Sequence, residues 1–221
     1  MLCITRGACL VINVFVDDRN EYYKFGLLHF LNEIIGLHTD QKINLLHQEK
    51  SLSKADIIVR VFPAGAETLC HPELVGRKLG SLLISIYEGD IQMLKLSSRP
   101  HCFDNTMFIH RTERINMLAK KFIYAWARAR VMTDRLHGCR QGCRSCSSVE
   151  LSLQEIKIIS YITYGFTLAR VANILGLSVK TVSAHKRRVM RKFNIKSNAE
   201  LIILCRATLQ VTNQSKVCFL P

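Results

Sequence analysis

The run SVKTVSAHKRRVMRKFNIK, Ser178 to Lys196, constrains this chain more than any other stretch, because its residues suit one helix with an apolar stripe and a cationic face. It carries Lys180, Lys186, Arg187, Arg188, Arg191, Lys192 and Lys196, and no acidic residue lies between Ile156 and Ala199. Ser178 suits an N-cap, since its hydroxyl can accept a hydrogen bond from an otherwise unpaired amide of the first turn. Val179, Val182, Val189, Met190 and Phe193 then recur at helical spacing, which places the cations on the opposite side. A solvated helix face usually mixes signs, whereas a face of one sign fits contact with phosphate.

The neighbouring residues complete a unit. Ser152 and Glu155 form a Ser-x-x-Glu capping box that opens a helix with Ile156, Ile158, Ile159 and Ile162 on its apolar face, and Gly165 suits its left-handed end. Thr167 is placed to cap a shorter helix, LARVANIL, and Gly176-Leu177 turns the chain into Ser178. Two helices joined by a short turn containing Gly are the helix-turn-helix signature. After Ile195, Ser197 and Glu200 form a second capping box before Leu201, Ile202, Leu204 and Cys205, so four helices are expected in about sixty residues.

Residues 151–206 resemble the C-terminal DNA-binding domain of the LuxR/FixJ (NarL-type) family of bacterial transcription regulators. The resemblance rests on Leu151, Ser152, Glu155, Gly165, Val171 with Ala172, Leu175, Ser178, Lys180-Thr181-Val182, His185 and Arg191-Lys192-Phe193. Lys157 departs from a usual glutamate and Asn194 from a usual Gly, the latter mildly, because Asn tolerates the left-handed region. The resemblance implies that the third helix docks in the major groove, where each base pair displays its own donor and acceptor pattern. Ser183, Ala184 and Arg187 would then face base edges, with Arg187 suited to a bidentate contact to guanine and Ala184 to a thymine methyl. Lys180, Thr181, His185, Lys186, Arg188, Arg191 and Lys192 would meet phosphates, which set register rather than sequence. In the family the fourth helix mediates dimerisation; Leu201, Ile202 and Cys205 serve either that role or the packing of the small domain.

The formal charge of the 221-residue chain is +14, and residues 156–199 contribute nine Lys or Arg without an acid. Basicity is therefore local, which argues for a dedicated nucleic-acid module rather than general attraction to a membrane. The apolar run ACLVINVFV is too short to span a bilayer and ends in Asp17-Asp18. Nine cysteines, an odd number mostly lying singly, do not suggest an extracellular disulfide framework, so a cytoplasmic protein with reduced thiols is expected.

Towards the N-terminus strand and helix patterns alternate. Leu10–Val16, Ile57–Phe62, Ser81–Tyr87 and Thr106–His110 read as strands, Tyr22–Ile35 as a helix with Phe25, Leu28, Leu31 and Ile35 on one side, and Arg111–Leu136 as a long amphipathic helix. Such alternation predicts a parallel sheet covered on both faces. The order resembles a response-regulator receiver domain, whose first strand ends in an acidic pair. A receiver also needs an acceptor carboxylate after its third strand and a lysine after its fifth; here IIVRVFPAG offers Arg60, and His110-Arg111 follows the last strand. Without the carboxylate there is no acyl phosphate, and either a degenerate receiver or another small α/β sensor fits. Asp17 and Asp18 suit a weak divalent-metal site or simply a polar strand end. The long helix serves as a dimer face or as core.

HGCRQGCRSCSSVE is a linker by composition, and it holds Cys139, Cys143 and Cys146 near His137. These thiols are candidates for zinc, for an iron-sulfur cluster or for redox sensing beside Arg140 and Arg144; the alternative is solvated reduced thiols. The expected fold class is an α/β N-terminal domain, degenerate receiver-like with a parallel sheet, plus an all-α C-terminal four-helix LuxR-type helix-turn-helix domain. The expected division is 1–112 for the first, 113–150 for the amphipathic helix and Cys-rich linker, 151–211 for the second, and 212–221 as a tail. The expected function is sequence-specific transcription regulation on double-stranded DNA, as a homodimer or with a related regulator and without phosphorylation, enzyme activity or a cofactor. The alternative is an interaction protein that partners or antagonises another LuxR-type regulator.

Overall fold

VINVFVD, KINLL, IIVRV, LLISIY and TMFIH are short runs rich in β-branched and apolar residues, and each forms a strand: Val11–Asp17 (β1), Lys42–Leu46 (β2), Ile57–Val61 (β3), Leu82–Tyr87 (β4) and Thr106–His110 (β5). In the computed structural model, which describes residues 11–39, 41–74, 76–87, 100–131, 149 and 151–211, they make one parallel sheet in the order β2-β1-β3-β4-β5. The register pairs Val14 with Ile57, Ile57 with Leu82, and Leu83 with Thr106.

The helices Glu21–His38 (α1) and Ile115–Val131 (α2) pack one face of this sheet. Leu27, Phe30, Leu31, Ile34 and Ile35 of α1 and Leu118, Phe122, Ala125 and Ala129 of α2 close over Ile12, Val14, Ile57, Val59, Leu82, Ile84 and Ile109. Side chains alternate along a strand, so Phe15, Ile58, Leu83 and Phe108 point to the other face, where the first three are also buried and Phe108 stacks on Phe103.

Several expectations change here. Among the described residues the segments between β2 and β3 and between β3 and β4 contain only 3-10 turns, Glu49–Lys54, Ala66–Thr68 and Pro72–Leu74, so the two described helices of the sheet lie on one face, while the other is buried at Phe15, Ile58 and Leu83 without a helix from these segments. α1 runs through Gly36 to His38, and its buried side includes Leu27, Phe30 and Ile34, leaving Phe25 73% exposed. Gly36 costs helix stability but removes no hydrogen bond, and Thr39 closes the helix with its amide on the Ile35 carbonyl. Lys42–Leu46 adds a strand, β2, beyond the four expected. α2 begins at Ile115, itself exposed, and residues from Met132 to the cysteines of the expected linker lie outside the described residues.

The chain divides into two compact units, one drawn from Met1–Val61, His71–Tyr87 and His101–Ser145, and one from Phe62–Cys70, Glu88–Pro100 and Cys146–Pro221. Among its described residues the second contains four α-helices, Leu153–Thr163 (α3), Leu168–Leu175 (α4), Val179–Lys192 (α5) and Asn198–Val211 (α6). Ile158, Ile159, Val171, Ala172, Val182, Val189, Phe193, Leu201 and Leu204 form its buried interior. No helix among the described residues is long and apolar enough to cross a membrane.

Candidate nucleic-acid interface

Helix α4 ends where Gly176 adopts a left-handed conformation at φ 64°, which lets the Leu177 amide reach back to the Ala172 carbonyl at 2.9 Å. Two residues later Ser178 caps α5, its Oγ accepting from the Thr181 amide at 3.0 Å and lying 2.8 Å from the Thr181 hydroxyl. The turn is therefore closed by local bonds on both sides, and it sets α5 across α4.

Val182 and Val189, seven residues apart, anchor α5 from beneath and are fully buried. Val179, expected in the same stripe, is instead 48% exposed, because it opens the helix before the packed turn begins. Lys180, Ala184, Arg187, Arg188 and Arg191 are all exposed, and their i, i+4, i+7, i+8, i+11 spacing places them on a single face. Ser183 lies half-buried beside Ala184. A row of cations around one small apolar side chain, on a helix with no acid on it, is shaped for a groove lined by phosphates.

The other expected contacts are placed differently. Lys186 Nζ donates to Asn198 Oδ1 at 3.0 Å, and Lys192 Nζ donates to Glu155 Oε2 at 2.7 Å. Glu155 is 1% exposed and also accepts the Ser152 amide in a complete capping box. Burial alone raises its pKa, but the Lys192 hydrogen bond, the Ser152 amide and the Lys192 charge outweigh it, so the carboxyl titrates below its ordinary value. His185 is half-buried, and its Nδ1 is enclosed without a hydrogen-bond partner. In α6, Leu201 and Cys205 are buried in the unit, burial pushes the Cys205 thiol pKa up, and Ile202 is half-covered, whereas Ile203 is 55% exposed.

At the carboxyl ends of the strands, Asp17 and Asp18 each face an arginine. Arg60 Nε donates to Asp17 Oδ2 at 2.8 Å, and Arg111 grips Asp18 through Nη1 at 2.9 Å and Nη2 at 3.3 Å. Asp18, its side chain 2% exposed, also accepts the Asn20 amide at 2.9 Å, while the Arg111 guanidinium lies 4.6 Å from the centre of the Tyr23 ring. Arg60 reaches Glu73 at 3.4 Å as well, and His71 Nδ1 lies 3.1 Å from the same carboxylate oxygen. Burial pushes the Glu73 pKa up, but His71 and Arg60 together bring it below its ordinary value. Groups of His, Cys, Asp and Glu arranged to hold a metal are absent among the described residues. The thiols Cys139, Cys143 and Cys146 lie outside them.

Comparison with known proteins agrees with this geometry. Residues 149–205, about a quarter of the chain, match the family described as bacterial regulatory proteins, luxR family, and the C-terminal helices form a LuxR-family helix-turn-helix domain. The chain is 30% identical over 127 residues to the transcriptional regulatory protein TdiR of Thauera aromatica, covering 58% of this chain and only 53% of that relative. It is 22% identical over 205 residues to the Fimbriae W protein of Salmonella typhimurium strain LT2, covering 90% of this chain and 97% of that one. Among solved structures, a complex of the two-component response regulator RcsB with DNA superposes with a TM-score of 0.51 at 15% identity, covering 89% of this chain and 98% of that one. The likeness establishes a receiver-like parallel sheet joined to a helix-turn-helix domain.

Proposed function

We propose that this chain, with its LuxR-family helix-turn-helix domain at residues 149–205, is a sequence-specific DNA-binding transcription regulator that reads the major groove with α5. One observation carries the reading: the exposed face Lys180, Ala184, Arg187, Arg188, Arg191 has a single charge sign and a small apolar residue at its centre. Arg187 and Ala184, with Ser183 beside them, meet base edges; Lys180, Arg188 and Arg191 hold phosphates on either side. TdiR is named a transcriptional regulatory protein, and RcsB was solved on DNA, which supports the same role here.

The protein acts as a homodimer on paired half-sites about one helical turn apart. Ile203, exposed on α6, supplies apolar surface for that pairing. Lys192 belongs to the frame of the domain rather than to its contact face, because its ammonium is bound to buried Glu155. The N-terminal unit does not run on phosphoryl transfer, since Arg60 stands at the end of β3 and occupies Asp17.

The experiment is binding of the purified full chain to DNA selected from a random pool, compared with unselected DNA at fixed salt. Arg187→Ala is expected to cost about 1–3 kcal/mol on the selected site and to relax preference at one base pair, whereas Arg191→Ala weakens both DNAs alike. Equal losses on both DNAs for Arg187→Ala would overturn the base-reading role. Failure of the chain alone to select any sequence would favour the reading in which it partners or antagonises another regulator.

A further inference from the structure

Helix α4 carries a cation where helix electrostatics disfavours one. Arg170 is the third residue of α4, its amide bound to the Thr167 cap at 3.3 Å, and no acidic residue shares that first turn. The N-terminus of a helix is its positive end, so a guanidinium there is mildly unfavourable unless something anionic meets it. The side chain is nonetheless held in place. Its guanidinium lies 4.5 Å from the centre of the Phe166 ring, and Phe166 meets Tyr161 edge-on, with ring centres 5.6 Å apart. Arg170 is exposed, and Phe166 and Tyr161 are half-buried, so the rings form a footing that fixes a charged group pointing to solvent.

The stretch Ile156–Ala199 around it holds no carboxylate to explain the placement. A guanidinium held over a ring loses less freedom when it binds, and its N–H groups fit a phosphate's oxygens. In helix-turn-helix docking the first helix crosses the DNA backbone while the second enters the groove.

We infer that Arg170, seated on Phe166, is a second phosphate clamp, holding the DNA backbone from α4 independently of the cations on α5. The inference rests on the DNA-binding reading of α5 and adds a contact that the LuxR-family resemblance does not assign. Arg170 contributes affinity on every sequence and fixes the angle at which α5 enters the groove. Phe166 is a positioning residue that acts through Arg170.

The test is the salt dependence of binding by the full chain, on selected and unselected DNA, for wild type, Arg170→Gln, Arg170→Lys and Phe166→Leu. Each phosphate neutralised contributes about 0.9 to the slope of log affinity on log salt, so Arg170→Gln is expected to lower the slope by about 0.9 per bound subunit on both DNAs. Arg170→Lys keeps the slope and loses part of the affinity; Phe166→Leu does the same with the arginine intact. Ethylation interference is expected to lose one phosphate per half-site in Arg170→Gln. An unchanged slope and footprint in Arg170→Gln, with Arg187→Ala still defective on the selected site, would overturn the clamp and leave the DNA-binding reading standing. Wild-type protein that binds no DNA would overturn both.

Discussion

Glu155 is enclosed within its unit, and its Oε2 accepts both the Ser152 amide at 2.9 Å and the Lys192 ammonium at 2.7 Å. One carboxylate thus caps α3 and ties it to the last turn of α5. The capping box could be read from Ser152 and Glu155 because it is local, while the partner at Lys192 is 37 residues away and leaves no mark in a pattern of spacing. For the same reason Lys192 resembled a phosphate contact: sequence identifies a cation on a helix, and only the fold says which way it points. The pairing makes stability depend on acid. A carboxyl whose folded pKa lies below its ordinary value of 4.5 contributes stability above that value and loses it as pH falls through the folded pKa. Amide hydrogen exchange of the full chain is therefore expected to show α3 and the end of α5 opening more readily as pH drops below about 4.5. Lys192→Ala is expected to destabilise that unit by about 1–3 kcal/mol at neutral pH, because it strands a buried charge whose lost partner was partly solvated. Loss of DNA affinity in Lys192→Ala without loss of protection would instead return this lysine to the contact face.

At the level of elements, legibility followed the strength of local signals. α3, α4 and α5 were read from caps, glycines and a 3.6-residue period, and they stand where Ser152, Thr167 and Ser178 placed them. The weaker stretches went wrong for identifiable reasons. KINLL is short and flanked by polar residues, so β2 draws its identity from pairing with β1, for example Val14 with Leu45. PAGAETL offered no periodicity at all. It belongs with the helical unit, where Gly65 adopts φ 85° and Thr68 Oγ1 returns a hydrogen bond of 2.6 Å to the Gly65 carbonyl. A Cβ at Gly65 would lie 2.9 Å from the Phe193 carbonyl and 3.1 Å from Leu204, so both its backbone angle and its lack of a side chain are required. Gly65→Val is expected to destabilise the α5–α6 corner by about 1–3 kcal/mol, through backbone strain and overpacking together. Faster hydrogen exchange at Phe193–Ile195 and Leu201–Cys205 would register it; unchanged protection there would mean that the contact contributes nothing.

At the scale of the whole molecule, the alternation of strand and helix was enough to give a parallel sheet, and the acidic pair closing β1 gave its likeness to a receiver. The replacement of middle helices by 3-10 turns was hidden, since such turns carry no long-range period. In a sheet ordered β2-β1-β3-β4-β5, the crevice for a ligand opens between β1 and β3, where the order reverses. That crevice is where Asp17 meets Arg60, with Asp18 held by Arg111 alongside. Two guanidinium ions at these carboxylates supply the positive charge that a divalent cation would otherwise bring, and β3 offers no carboxylate to carry a phosphoryl group. Incubation of the full chain with a small-molecule phosphodonor and Mg²⁺ is therefore expected to incorporate no base-labile phosphate and to leave DNA affinity unchanged. Arg60→Asp removes the cation, adds a carboxylate beside Asp17, and is expected to create measurable Mg²⁺ binding where the wild type has none. Stoichiometric phosphorylation of the wild-type chain, shown by a mobility shift that base reverses, would contradict the reading. It would mean that a carboxylate elsewhere accepts the group and that the ion pairs regulate the site instead of closing it.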